Sequence, residues 1–263
     1  MNLFSPGEIA ANLGNIGGNK GKMPLAKMIL LAIAAGAFIA FGAFAATVVA
    51  SGWPAEWAGT GLNKLAMGVV FSVGLISVVL TGAELFTGNN MFLTVSVLEK
   101  ESTPGELLKN WVIVYFANFA GSLLMVAIVV GGGFFVADGE LTAIGAKALA
   151  IGETKTGLTP LAAFCRAIGC NWLVCLGVWL ACAAKDVIGK IFGCVFPVTV
   201  FVMCGFEHSV ANMFFIPAAM CVPGSAITLS DFLLGNLLPV TLGNIVGGAV
   251  FMGMLFWGAY CRK

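Results

Sequence analysis

Two short polar runs interrupt otherwise apolar stretches of this chain: Gly82-Ala83-Glu84-Leu85-Phe86-Thr87-Gly88-Asn89 and Gly205-Phe206-Glu207-His208-Ser209-Val210-Ala211-Asn212. They hold the residues best suited to chemistry. Glu84 and Glu207 are the carboxylates placed deep in apolar segments, and His208 is the only histidine. Near neutrality an imidazole is either a neutral donor or a cation; both forms hold an anion, and the cation can also hand it a proton. Thr87 adds a small hydroxyl, which either donates to an anion or lines the interruption passively. A carboxylate at mid-bilayer costs at least about 2.5–3.5 kcal/mol on insertion scales. Non-helical backbone at that depth also leaves polar groups unpaired, which is tolerated only inside protein or beside water. One role meets both costs: Glu84 and Glu207 each accept hydrogen bonds from freed N–H groups at their own break. Direct proton transfer by either carboxylate is the alternative. Asn89 and Asn212 are expected to cap half-helices. Lys155, in Glu153-Thr154-Lys155-Thr156, is read as part of a short outer segment, either a solvated loop lysine or an electrostatic lure for anions. Enzyme chemistry finds no footing. No second histidine or Cys/carboxylate cluster offers metal-ligand spacing, and no Gly-x-x-x-x-Gly-Lys-[Ser/Thr] run offers a nucleotide site. No cofactor is expected.

Positioning such residues falls to membrane helices. Sixty per cent of the 263 residues are hydrophobic and 10% are charged, against about 25% charged in soluble domains. The net charge of +1 excludes nucleic acid as an expected partner. Six stretches, near 25–51, 62–98, 107–134, 161–184, 191–221 and 235–260, are each long enough to span about 30 Å of hydrocarbon. The second and fifth are too long and carry the polar runs. Both runs place Glu two residues after Gly and Asn five after Glu, and Met-Phe follows closely at Met91-Phe92 and Met213-Phe214. Asn118-Phe-Ala-Gly121 is echoed by Asn244-Ile-Val-Gly247. The expected fold is therefore an all-α membrane protein of six transmembrane helices in two three-helix repeats, about 25–134 and 161–260. An odd number of spans per repeat inverts the second half, and matched breaks point to a substrate path between the halves.

Residues 1–24 form a polar arm ahead of a single transmembrane domain, 25–263. Ser5-Pro6-Gly7-Glu8 has the form of a capping box with Pro at the first helical position. A short amphipathic helix with Ile9, Leu13 and Ile16 should follow, ended by Gly17-Gly18-Asn19-Lys20-Gly21-Lys22. The apolar run from Leu25 is too long for a signal peptide and should remain as a membrane helix. Nine of the thirteen Lys and Arg residues (Lys20, Lys22, Lys27, Lys100, Lys109, Lys185, Lys190, Arg262 and Lys263) fall on the side of the termini, which places both termini in the cytoplasm of a multi-pass protein of the cell (plasma or inner) membrane. The eight cysteines form no Cys-x-x-Cys pair and read as small apolar packing residues.

At Gly82-Ala-Glu-Leu-Phe-Thr87, Asn171-Trp-Leu-Val-Cys-Leu-Gly-Val-Trp179, Gly205-Phe-Glu-His-Ser-Val-Ala-Asn-Met213 and Leu238-Pro-Val-Thr-Leu-Gly-Asn-Ile-Val-Gly-Gly248 the sequence resembles the formate/nitrite transporter family, from about residue 20 to 262. The resemblance implies an aquaporin-like protomer, a homopentamer and one pore per protomer. It implies that the Leu85-Phe86-Thr87 loop forms the cytoplasmic constriction with Leu75 and Phe201, and that Val174 and Phe206 wall the outer side. Asn171 and His208 would lie close together between the constrictions, with Lys155 in the outer vestibule.

The expected function is passage of small monovalent anions across a lipid bilayer: formate first, with nitrite and hydrosulfide as rivals, crossing as the acid or with a proton. The alternative is an aquaporin-like channel for neutral small solutes. That class uses paired Asn-Pro-Ala breaks, which this chain lacks.

Overall fold

The computed structural model describes residues 3–54, 56–57 and 59–262; Lys263, counted above among the inner cations, lies outside them. In chain order the helices are α1 (Pro6–Gly21), α2 (Leu25–Ser51), α3 (Gly61–Thr81), α4 (Phe86–Leu98), α5 (Pro104–Gly131), α6 (Ala143–Thr156), α7 (Pro160–Ala183), α8 (Val187–Met203), α9 (Ser209–Met220) and α10 (Asp231–Tyr260). One small hairpin pairs Val136–Ala137 with Glu140–Leu141. Among the described residues, α2, α3, α5, α7 and α10 are long and apolar enough to cross a bilayer, while α8 and α9 are shorter apolar helices. Phe41, Phe116, Leu161 and Phe196 are exposed, an outer surface suited to lipid or to other subunits rather than to water.

Local chemistry explains where these helices begin. Pro6, Pro104 and Pro160 occupy first-turn positions, where the missing N–H costs nothing. Ser5 with Glu8 and Thr103 with Glu106 form reciprocal capping boxes. The two Ser5 donors hold the Glu8 carboxyl below the usual carboxylate range. Asp186 caps α8 and starts it four residues ahead of the expected 191, and α5 begins at Pro104 rather than 107 for the same kind of reason.

Two expectations need correction. The glycines of α1 do not end it: the helix continues through Gly17 and Gly18 to Gly21. They are needed for approach, since a Cβ on Gly17 would sit 2.2 Å from the Phe92 carbonyl oxygen of α4. Lys155 is not in a loop. It lies in the last turn of α6, a helix of fourteen residues that sequence reasoning did not place. Its glycines and lysines dilute the apolar signal that periodicity relies on.

The α2–α5 contact shows how small residues set the packing. A Cβ on Gly36 would fall 2.0 Å from the Asn118 carbonyl oxygen, and one on Gly121 would fall 2.0 Å from that of Ile33. Backbone cannot yield as a flexible side chain does. Gly36→Ala is expected to lower stability by about 1–3 kcal/mol through overpacking, read as a lower melting temperature in detergent. Gly52→Ala is the control, because nothing lies within 4 Å of its added methyl.

Candidate functional site

The two polar runs are helix breaks. α3 closes on Gly82 at φ +72° and α8 runs to Gly205 at φ +65°, the left-handed region that glycine enters without a Cβ penalty. Three extended residues follow each, then α4 and α9 begin. The backbone groups freed by each break find matched partners. Phe86 N–H donates to Asn118 Oδ1 at 2.9 Å, and Ser209 N–H donates to Asn244 Oδ1 at 2.8 Å. Asn118 Nδ2 donates to the carbonyls of Ala32 (2.7 Å) and Glu84 (2.9 Å). Asn244 Nδ2 donates to those of Ala167 (2.9 Å) and Glu207 (2.9 Å). All four asparagine and carboxylate side chains are buried.

The carboxylates therefore do not serve the role expected of them. Glu84 takes no freed backbone N–H; it pairs with Lys20 of α1 at 2.5 Å and accepts from Asn89 Nδ2 at 2.7 Å and Asn110 Nδ2 at 3.4 Å. Glu207 pairs with Lys155 of α6 at 3.0 Å and accepts from Asn212 Nδ2 at 2.6 Å and Asn236 Nδ2 at 3.4 Å. Asn89 and Asn212 accordingly hold carboxylates and cap nothing. Asn110 and Asn236 also donate to the backbone carbonyls of Lys20 (3.4 Å) and Lys155 (2.9 Å). Each ammonium sits 5.2 Å above a ring centroid, Lys20 over Phe92 and Lys155 over Phe215. The same set of contacts is thus built twice. Sequence reasoning missed Lys20, Asn110 and Asn236. A signal existed: Asn110 precedes Asn118, and Asn236 precedes Asn244, by the same eight residues.

Between the breaks lies a polar neck. His208 caps α9, its Nδ1 accepting from Ala211 N–H at 3.0 Å, while its Nε2 is 3.0 Å from Thr87 Oγ1. An N–H on Nδ1 would face the Ala211 N–H, donor against donor. The capping geometry thus puts the ring proton on Nε2, which donates to Thr87 and leaves the Thr87 hydroxyl proton for another acceptor. Asn171 of α7 shares its amide among the carbonyls of Thr87 (3.1 Å) and Asn244 (2.7 Å) and Asn90 Oδ1 (3.2 Å). It meets the same residue as His208, but as a brace on the backbone. Phe201 stacks on the imidazole with centroids 6.0 Å apart.

Two cavities flank this neck. One, of about 280 Å³, is lined by His208, Phe71, Phe201, Phe206, Lys155 and Glu207. The other, of about 240 Å³, is lined by Leu75, Leu85, Gly88, Phe92, Lys20 and Asn89. Three expected wall residues sit elsewhere. Phe201 lines the first cavity beside Phe206, not the second beside Leu75. Phe86 turns to Trp111 and Tyr115 of α5, at 6.3 and 5.0 Å between ring centroids, because its N–H is tied to Asn118 of the same helix. Val174 is buried and lines neither cavity.

Apolar helices of spanning length, broken twice around a buried polar contact with a cavity on either side, define a multi-pass membrane protein of the channel and transporter class. The family model described as formate/nitrite transporter matches residues 7–258. The chain belongs to that family. It is 46% identical to a probable formate transporter of Methanothermobacter thermautotrophicus, over 98% of each chain. It is 38% identical to the formate channel FocA of Escherichia coli (strain K12), over 92% of this chain and 89% of that one. A solved pentameric formate channel with formate bound superposes with a TM-score of 0.79 at 39% identity, covering 90% of this chain and 98% of that one. A further solved ion channel of the same family reaches 0.84 at 29% identity, covering 97% and 98%. Family and neighbours are channels and transporters, not enzymes.

Proposed function

We propose that this protein passes small monovalent anions across the cell membrane, formate foremost, through a path that joins the two cavities at the Thr87–His208 neck. The observation that carries the reading is that contact itself. A hydroxyl from one break meets an imidazole from the other at 3.0 Å, with Phe201 stacked on the ring and Leu75 and Leu85 lining the cavity beyond. The names of the relatives favour formate over nitrite and hydrosulfide.

The proposed architecture is six spans in two inverted halves. α1 to α5 form one half and α6 to α10 the other, and α3–α4 and α8–α9 each count as one broken span. Its support is the duplicated Lys–Glu–Asn–Asn network, which has one member set on each half. The arm that precedes a single transmembrane domain, the cytoplasmic termini and a homopentameric assembly belong to the same reading. The lysine bias supports the termini, and the pentameric neighbour supports the assembly.

The physical difficulty is a bare anion in an apolar neck. Moving a carboxylate-sized charge into a dry interior costs of order 20 kcal/mol in an idealised Born estimate and several after relaxation. With His208 Nε2–H donating to Thr87, the Thr87 O–H is left as the donor at the neck. Loss of water favours the neutral acid over the anion. With His208 Nδ1 committed to its cap, we assign the proton to water in the wider cavity, and the acid crosses the neck. Lys155 stands in the wall of that cavity as half of an ion pair.

The test is flux into reconstituted vesicles across an anion panel at several pH values. Formate entry accompanied by proton uptake, and faster at lower pH, is expected. Swelling with water or glycerol and no anion-dependent flux overturns the reading. Thr87→Val keeps the shape and removes the donor. A hydrogen bond to the neutral acid contributes about 0.5–1.5 kcal/mol, so formate flux should fall about two- to tenfold.

A further inference from the structure

The 280 Å³ cavity is larger and differently furnished than passage of a three-heavy-atom anion requires. An apolar cavity of about 150 Å³ suffices for a benzene ring. One wall is built by α3, where Asn63, Met67 and Phe71 recur every fourth residue on a single face. At about 1.5 Å per residue that wall descends some 12 Å. It runs from a polar mouth to an aromatic floor, where Phe71 meets Phe201 edge-on at 5.6 Å between centroids.

The mouth holds donors without partners. Asn63 is 1% exposed, and its Nδ2 finds no hydrogen-bond acceptor among the described residues. A buried amide left so is unfavourable, and an acceptor that reaches it relieves that cost. Lys64, Lys147 and Arg166 line the same space. Among the described residues none of the three has a carboxylate at ion-pair distance, whereas Lys155 is already offset by Glu207. The net positive field of this mouth therefore comes from these three cations rather than from Lys155.

We propose that this vestibule is a binding site for aromatic monocarboxylates, which lodge in it and block the pore without crossing. The carboxylate accepts from Asn63 and faces the three cations, and the ring lies against Phe71 and Phe201. Formate can engage only one end of such a site at a time, whereas an aryl carboxylate engages both. The ring is too broad for the Thr87–His208 neck.

The proposal rests on the anion-passage reading, and the test separates the two. Benzoate at pH 7.5 is the probe, with benzyl alcohol as its uncharged counterpart. In vesicles, benzoate should inhibit formate flux from the Lys155 face, and labelled benzoate should not accumulate inside. Benzyl alcohol should inhibit at least tenfold less well. Asn63→Leu should weaken benzoate inhibition about tenfold or more while leaving formate flux within about twofold. The double variant Lys64→Gln/Lys147→Gln should weaken benzoate inhibition, measured against that variant's own formate flux, about tenfold or more and remove its salt dependence, which covers the case in which Asn63→Leu fails to fold. Equal inhibition by benzyl alcohol, accumulation of benzoate, or unchanged inhibition in folded variants overturns the proposal. Equilibrium dialysis of benzoate against the solubilised wild-type protein decides the site even if no formate flux is found. Binding without flux sinks only the transport reading; flux without binding sinks only this one.

Discussion

Replacing Glu207 with leucine is expected to lower stability by about 3–5 kcal/mol, the usual cost of leaving a buried charge without its partner. The carboxylate is 4% exposed and anchors three groups at once: the Lys155 ammonium at 3.0 Å, Asn212 Nδ2 at 2.6 Å and Asn236 Nδ2 at 3.4 Å. Leucine leaves the ammonium facing an apolar wall and orphans part of both amides. The double variant Glu207→Leu/Lys155→Met should recover much of the loss, because removing both charges also removes their desolvation. Melting of the solubilised protein, followed by intrinsic fluorescence, reads both numbers. Additive losses, with no recovery in the double variant, would show that the pair is not coupled as the geometry requires. The equivalent pair Lys20–Glu84 should behave alike, since its contacts are the same in kind.

Asn244→Leu carries the second large effect. One side chain here accepts from Ser209 N–H and donates to the carbonyls of Ala167 and Glu207, all at 2.8–2.9 Å. Leucine has similar bulk and no hydrogen-bonding capacity. Two buried backbone groups, Ser209 N–H and the Glu207 carbonyl, are then left unpaired at about 1–3 kcal/mol each, which sums to about 2–6 kcal/mol if the break cannot relax. Relaxation is itself informative. Any rearrangement that re-pairs Ser209 must move the start of α9, and with it His208 and its 3.0 Å contact to Thr87. Transport should therefore fall even in a variant that is rescued by lipid or lower temperature. Asn118→Leu should act in the same way through Phe86 and Glu84. A variant that melts and transports like the wild type would remove the asparagines from the account of the breaks.

Much of this arrangement was legible from residue order alone. The helix breaks at Gly82 and Gly205 follow from glycine and polar residues inside apolar runs, and the structure puts left-handed glycines at both points. Resemblance put Asn171 near His208 and left Thr87 to the constriction loop; in the structure both His208 and Asn171 reach Thr87. What each polar side chain bonds to was not legible. Asn89 and Asn212 follow Glu84 and Glu207 by five residues and looked like caps, yet the N–H groups freed at the breaks go to Asn118 and Asn244, on helices further along the chain. Lys20 and Lys155 looked like surface charge. They prove to be partners of buried carboxylates 64 and 52 residues away. Phe86 and Phe201 shared a wall in expectation and lie apart in the structure, because rings are aimed by backbone ties such as Phe86 N–H to Asn118.

By itself the sequence determined that this is a helical membrane protein with two matched interruptions, each carrying one carboxylate, one of them beside a lone histidine. Those properties are set by composition and by local rules: apolar length, capping chemistry and the tolerance of glycine for positive φ. Only the tertiary structure decided which groups satisfy one another across the breaks. A freed N–H in a dry interior bonds to whichever acceptor packing brings within 3 Å, and that distance depends on how α2, α5, α7 and α10 close around the site.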